Sequence, residues 1–285
     1  MSQVSRNKWS ILKRIILIFC AVCLVLLVLI CAFFGPIFLW GLKLKTGLEC
    51  YQRLELNSAI ENYKQAEGLT GYLPDSTDKL TTTLSSLALA YITAGRQEEG
   101  EKTLDRNLEV IKGKYGDQSS RLVEPILLKA ALIRRQGRYK EAIELYSQAL
   151  TIARKDGVNS IIYGRAQAAS GIFNIYRGKY AEAGEALESA FKIFKDDPGT
   201  AKTMLAKLES NLALVREAEG RYQSALEGFA RAKKLIDTPG DTNKSALSGV
   251  LALESTLYLY VRDFPRARPL ITKALELSGE RPESG

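Results

Sequence analysis

Histidine is absent from all 285 residues. That removes the side chain most used for proton transfer near neutral pH and for metal ligation. Methionine and tryptophan occur twice each, and cysteine four times. Three of the cysteines, Cys20, Cys23 and Cys31, lie inside one long apolar run, and Cys50 lies just beyond it. Cys20-x-x-Cys23 resembles a redox or metal pair, but it has no second ligand pair, so the cysteines read as small apolar fillers. Glycine-rich phosphate loops, serine nucleophile elbows and paired carboxylates beside a base are also missing. No catalytic residue, cofactor site or metal site is therefore expected. Apolar and polar residues nowhere alternate over a useful length, so the chain should be all-α.

Acidic residues are absent before Glu49, whereas Arg6, Lys8, Lys13 and Arg14 all precede the apolar run. Those four carry half of the formal net charge of +8, leaving a mild +4 on the remainder. So small an excess, with no basic run interleaved with aromatics, argues against nucleic acid as a partner. From Ile15 to Trp40 there is no charged residue. As a helix that stretch would reach ~39 Å, longer than the roughly 30 Å hydrocarbon core of a bilayer. Trp9 and Trp40 bracket it as interfacial rings would. The expectation is a single-pass transmembrane helix over 15–40 behind a basic tail at 1–14. The lysine and arginine bias places the N-terminus in the cytoplasm and the rest of the chain outside it.

Beyond residue 80 the chain is periodic. The stretch Ala130–Leu150 reads as two helices meeting at Gly137, and similar stretches turn at Gly95, Gly178, Gly220 and Arg262. The spacing is 41 or 42 residues throughout, the mark of a solenoid of helical hairpins. Three positions in each unit are small. They are Ala88, Ala130, Gly171, Ala213 and Ser255; Gly100, Ala142, Ala183, Ala225 and Ala267; and Asn107, Ala149, Ala190, Ala232 and Ala274. Only Asn107 departs from Ala, Gly or Ser. Leucine-rich amphipathic helices alone would not produce such a set.

This pattern resembles the tetratricopeptide repeat family, with the longer spacing of kinesin light chains. The seven or eight residues beyond the commonest 34-residue period add about two turns, which lengthens helices without rotating their apolar faces. The likeness covers Thr81 to Leu277 and implies five repeats over 81–277. Residues 41–80 read as a linker helix and degenerate half-repeat, in which Ala59-x3-Tyr63 echoes a second helix, and 278–285 as a frayed tail. Tyr139, Tyr180, Tyr222 and Phe264, at the start of successive second helices, read as the family's packing residues.

The resemblance also implies a right-handed superhelix whose concave side is lined by the first helix of each pair. Carried over position by position, the family's groove runs from Glu124 through Glu217 to Tyr260, and of its positions Arg134, Arg135, Arg165, Tyr176, Lys207, Asn211 and Tyr260 form the protein-binding set. Arginines, a lysine and tyrosines together suit an extended peptide carrying carboxylates and apolar anchors. The family's two-carboxylate clamp is not present. Asn211 matches its central asparagine, but Ala168, Ile172, Gly249 and Leu253 stand at the flanking positions. The implied function is a non-catalytic, membrane-anchored scaffold or adaptor that binds a protein or peptide segment. The alternatives are a structural subunit that self-associates into a homo-oligomer and, further off, a ligand sensor or enzyme.

Overall fold

The computed structural model describes Leu17, residues 34–237 and residues 243–278. Among the described residues there are twelve α-helices and no strand. Helix α1 covers residues 34–52 and is followed by α2 (Leu56–Leu69), α3 (Ser76–Thr93) and α4 (Gln97–Tyr115). These lie in a first compact unit ending at Asp117. A second unit starts at Gln118 and holds α5 (Val123–Arg135), α6 (Tyr139–Lys155), α7 (Ile161–Tyr176) and α8 (Tyr180–Asp196). It continues through α9 (Lys202–Ala218), α10 (Tyr222–Ile236), α11 (Lys244–Tyr260) and α12 (Phe264–Ser278).

Each hairpin is made by the same backbone device. Gly95, Gly137, Gly178 and Gly220 take left-handed φ of 71° to 79°, and Arg262 does so at 61°. At Gly137 the amide reaches the carbonyl of Arg134 at 3.0 Å, and the next amide, of Arg138, reaches Ile133 at 3.1 Å. This double bond back into the helix satisfies two carbonyls that would otherwise be orphaned at its end. Arg262 and Asp263 make the same pair of bonds, to Leu259 at 3.1 Å and Tyr258 at 2.8 Å. Hydrogen bonding therefore fixes the turn whether or not glycine occupies it, and a side chain there adds only strain.

All fifteen small positions are buried. A Cβ on Gly100 would come within 2.7 Å of Ile92, and one on Gly171 within 2.7 Å of Leu187, so these helix pairs meet closer than any larger residue would permit. Asn107 fits because its amide donates to the Ser85 hydroxyl at 2.8 Å and the Thr81 carbonyl at 3.2 Å on the facing helix. Two buried carboxylates are also tied down. Glu209 of α9 accepts from both Nε and Nη2 of Arg231 on α10 at 3.2 Å, and Glu254 of α11 accepts from Lys233 of α10 at 2.7 Å. Each would be costly left alone, since a buried charge needs a partner. Pro269 lies inside α12, which nevertheless runs on to Ser278. Asn243 caps α11 by accepting from the Ala246 amide at 2.9 Å.

The first unit holds a hairpin that has no glycine at its turn. Leu54 sits at φ 62°, and its amide and that of Glu55 bond back to Tyr51 at 3.0 Å and Cys50 at 2.9 Å. Leu54 lies 41 residues before Gly95, and the same offset carries the three small positions onto Gly47, Ala59 and Ala66, all of them buried. A Cβ on Gly47 of α1 would lie 2.6 Å from the Tyr63 ring of α2, so the two helices meet closely there. α1 and α2 thus have the turn and close contacts of a complete repeat.

Helix α1 takes in the end of the long apolar run. Among the described residues no helix is long and apolar enough to cross a membrane. The expected single-pass transmembrane helix is therefore not supported. The same finding removes the support for the expected membrane location, with its cytoplasmic N-terminus and extracytoplasmic repeats. Apart from Leu17, residues 15–33 of the expected span lie outside the described residues, as does the Cys20-x-x-Cys23 pair. Residues 34–40 belong to α1. Trp40, expected at a membrane interface, donates its indole N–H to the Thr83 hydroxyl of α3 at 3.0 Å, with the Lys79 ammonium 5.8 Å from its ring. Its amphipathic ring serves contact between helices.

Turn strain and close packing each have a measurable effect on stability. Replacing Arg262 with glycine should raise the unfolding free energy by about 1 kcal/mol, because a non-glycine residue in this conformation costs roughly 1–2 kcal/mol while the bonds stay in place. Urea unfolding of R262G beside wild type measures it, and an unchanged midpoint would contradict the account. Gly47→Leu should cost about 2–3 kcal/mol by overpacking against Tyr63. It should also lower hydrogen-exchange protection across α1 to α3, and protection equal to wild type would show that Gly47 is not a packing position.

Candidate functional site

Within the second unit the first helices of the hairpins touch in succession, α5 with α7, α7 with α9 and α9 with α11, more closely than the second helices touch one another. In a curved stack the closer row is the inner one, so the first-helix face is the concave face of this unit. All four of its helices run in the same direction. Residues just before the left-handed turns therefore share one end of the face, and residues about three turns earlier share the other.

The seven expected binding residues fall into two groups. Arg134, Arg135, Tyr176 and Tyr260 lie two or three residues before a turn. Arg165 and Lys207 each lie thirteen residues before a turn, with Asn211 one helical turn beyond Lys207. They do not form one basic cluster. The guanidinium of Arg165 is 3.1 Å from the Glu124 carboxylate of α5, a residue in the same register one repeat earlier. Lys207, next in that register, is exposed and has no ion-pair partner among the described residues. Asn211 is 9% exposed and donates to the Lys207 carbonyl at 2.7 Å, so its amide N–H group is engaged within its own helix.

At the turn end, the Arg134 guanidinium lies 4.1 Å from the centre of the Tyr176 ring. Such stacking is attractive because the ring face is electron-rich. Arg134 also interacts with Tyr146, whose hydroxyl burial pushes up and the nearby guanidinium pulls back down. Tyr146 in turn stacks on Phe173, centroids 4.7 Å apart. Arg135 is exposed. Tyr176 is 65% and Tyr260 69% exposed. The aromatic series expected to serve packing is also more open than anticipated. Tyr139 and Phe264 are exposed at 57% and 60%, and the interior ring contact here is made by Tyr146 and Phe173.

Two groups stand outside the seven expected binding residues: Tyr222, expected only to pack, and Glu217, a groove position not counted in the binding set. Tyr222 packs against Tyr260, centroids 6.1 Å apart and planes 42° to each other. Its hydroxyl is pushed up by burial, then by the hydrogen bond and charge of Tyr260 and by the Glu217 carboxylate. Glu217 is partly buried, its Oε2 has no hydrogen-bond partner, and burial pushes its carboxyl up. Glu217 was open to a register argument, since it occupies in α9 the position that Arg134 holds in α5.

The tetratricopeptide repeat family model matches residues 79–155 and 122–196. Protein Kinesin Light Chain-Related 1 of Arabidopsis thaliana is 26% identical over 168 residues, 58% of this chain. The matched segment spans only 27% of that relative's length. The fold is also that of BtubC from P. vanneervenii, with a TM-score of 0.58 at 20% identity over 74% of this chain and 89% of that one. A Rap protein complexed with competence and sporulation factor superposes with a TM-score of 0.63 at 17% identity, covering 85% of this chain and 77% of that one. The hairpin period, the buried small positions and these likenesses have one reading: residues 79–196 carry tetratricopeptide repeats, in a long-period form similar to that of kinesin light chains, and the hairpins on either side share their architecture.

Proposed function

We propose that the first-helix face of the second unit binds an extended segment of a partner protein, and that the chain acts as a scaffold or adaptor without catalysis. The observation that carries this reading is the exposure of Tyr176 and Tyr260 on the inner row of helices, with Arg135 at the same end of that face and Lys207 at the other. Tyrosine and arginine dominate the energetics of protein interfaces because each adds large contact area and directional polar groups at low entropic cost. Among the described residues Arg135 and Lys207 have no ion pair to break before meeting a partner carboxylate, whereas Arg165 would first have to leave Glu124. The Rap protein in complex with competence and sporulation factor supports the reading to the extent that a chain of this fold captures another molecule.

Affinity capture from cell extracts with full-length protein tests it. Arg135→Glu combined with Tyr176→Ala should lower recovery of the bound partner at least about thirty-fold, the equivalent of a 2 kcal/mol hot spot. Lys207→Glu should weaken it by about ten-fold. Arg165→Gln serves as the internal control. It should change recovery less than about five-fold, because an exposed ion pair contributes roughly 0–1 kcal/mol. The same partners recovered in the same amount with all three variants would remove the first-helix face from consideration.

A further inference from the structure

The turn ends of the first helices repeat the same two positions, and along the second unit one pair is left incomplete. Three residues before the turn stand Arg134, Ile175, Glu217 and Leu259, and two residues before it stand Arg135, Tyr176, Ala218 and Tyr260. Between α5 and α7 the first position supplies a cation and the second supplies a ring, and the two join as Arg134 over Tyr176 at 4.1 Å. Between α9 and α11 the ring is present as Tyr260, but its counterpart is the carboxylate of Glu217. The cation that completes the first arrangement is missing from the second, and an anion able to attract one stands in its place.

Nothing among the described residues fills this gap. The Oε2 of Glu217 is shut off from solvent without a hydrogen-bond partner, and no lysine or arginine among the described residues pairs with the carboxylate. Arg216, adjacent in sequence, is engaged elsewhere: its guanidinium lies 3.9 Å from Glu209 on its own helix and borders Gly228 of α10. Tyr260 remains 69% exposed even though Tyr222 packs against it from α10. A desolvated carboxylate with an idle oxygen is costly alone and attracts a cation strongly. Tyr222, near enough to feel the Glu217 charge, and Tyr260 packed against it offer two electron-rich rings that favour a cation with an organic stem over a small hydrated ion.

We propose that Glu217, Tyr222 and Tyr260 form a receptor for one arginine or lysine side chain of the polypeptide bound on the first-helix face, a site that rests on the reading given above. Oε1, the carboxylate oxygen that is not enclosed, accepts from the guanidinium or ammonium group while the enclosed Oε2 adds to the attraction, and the rings cover the face and stem of the cation. The bound segment is then bipolar, with acidic groups toward Arg135 and Lys207 and a basic one at Glu217.

Fluorine NMR on the full chain labelled with 3-fluorotyrosine tests the receptor, with Tyr222→Phe and Tyr260→Phe assigning the two signals. N-acetyl-arginine amide and N-acetyl-lysine amide should shift both signals. N-acetyl-citrulline amide, the uncharged isostere of the arginine probe, should leave them in place. Glu217→Gln should weaken the response about ten-fold. Glu217→Arg should abolish it and move the Tyr260 signal before any probe is added, because the chain then supplies its own cation as it does at Arg134. An equal response to citrulline, an arginine response that survives Glu217→Gln, or no response at a probe concentration on the order of 100 mM would each overturn the receptor. Partner capture that depends on Arg135 alongside a failed amide response would overturn the receptor and leave the groove reading standing. The converse would overturn the groove reading and support a cation site independent of it.

Discussion

Close approach of helix backbones at three small positions in every hairpin is the constraint on which the rest depends. At Gly100 and Gly171 not even a methyl group fits without displacing a neighbour, and the alanines at the corresponding positions are fully buried. Packing this tight holds helices at a fixed distance and rotation, because interiors do not tolerate an added methylene without shifting. Rotation then decides which residues of a first helix reach the inner face. A side chain therefore belongs to the core or to the groove by its distance from the turn, whatever its own chemistry. Asn107 shows how firm the requirement is: a larger polar residue is accepted there only with its amide drawn into hydrogen bonds with the opposite helix.

That constraint also explains how much of the fold was legible in the sequence. Five hairpins could be read because small residues and turns recur at fixed offsets, and even Arg262 could be placed in a turn by counting. Residues 34–69 were harder to read because Leu54 stands where a glycine was sought. Glycine is favoured in a left-handed turn, but the two backbone bonds hold the conformation with leucine as well. The period was the better guide, since subtracting 41 from each small position of the next hairpin gives Gly47, Ala59 and Ala66. The same stretch misled in a second way. An uncharged run reads as a bilayer span when hydropathy is taken alone. Its last seven residues instead lie in α1, with Trp40 bonded to Thr83.

Less of the candidate site was legible, for a related reason. Sequence position identified which residues face inward, but their condition there depends on what stands at the same register in the adjacent helix. Arg165 looked like a free cation until Glu124, forty-one residues earlier, was seen to neutralise it. Asn211 matched a family position, yet its amide turns back onto its own helix. Arg134 seemed available and is stacked on Tyr176. The Glu124 and Tyr176 pairings each join residues about one period apart, so a ladder of equivalent positions could have shown the charge pairing and the stacking. The exposure of Tyr176 and Tyr260 could not have been found that way, because it depends on how far the neighbouring second helices stand back.

On the proposed reading, what the first-helix face offers a partner is set by mismatches along each register, and a simple count of charges misstates it. Where neighbouring repeats carry complementary groups, as Glu124 and Arg165 do, the interaction is already made within the chain. A ligand must then break it and recovers little, since an exposed pair and its replacement are of similar strength. Where they do not match, as at Lys207 or at Glu217 beside Tyr260, the group keeps its full capacity to bind. Glu217 has the stronger motive, because its carboxylate has already lost part of its hydration on folding. A cation would restore what burial removed. Substitutions at the small positions disturb every contact that depends on helix spacing. Substitutions at the exposed positions two residues before a turn, such as Arg135, Tyr176 and Tyr260, alter one local match without entering the core. A repeat array built this way can change what it binds without changing how it folds.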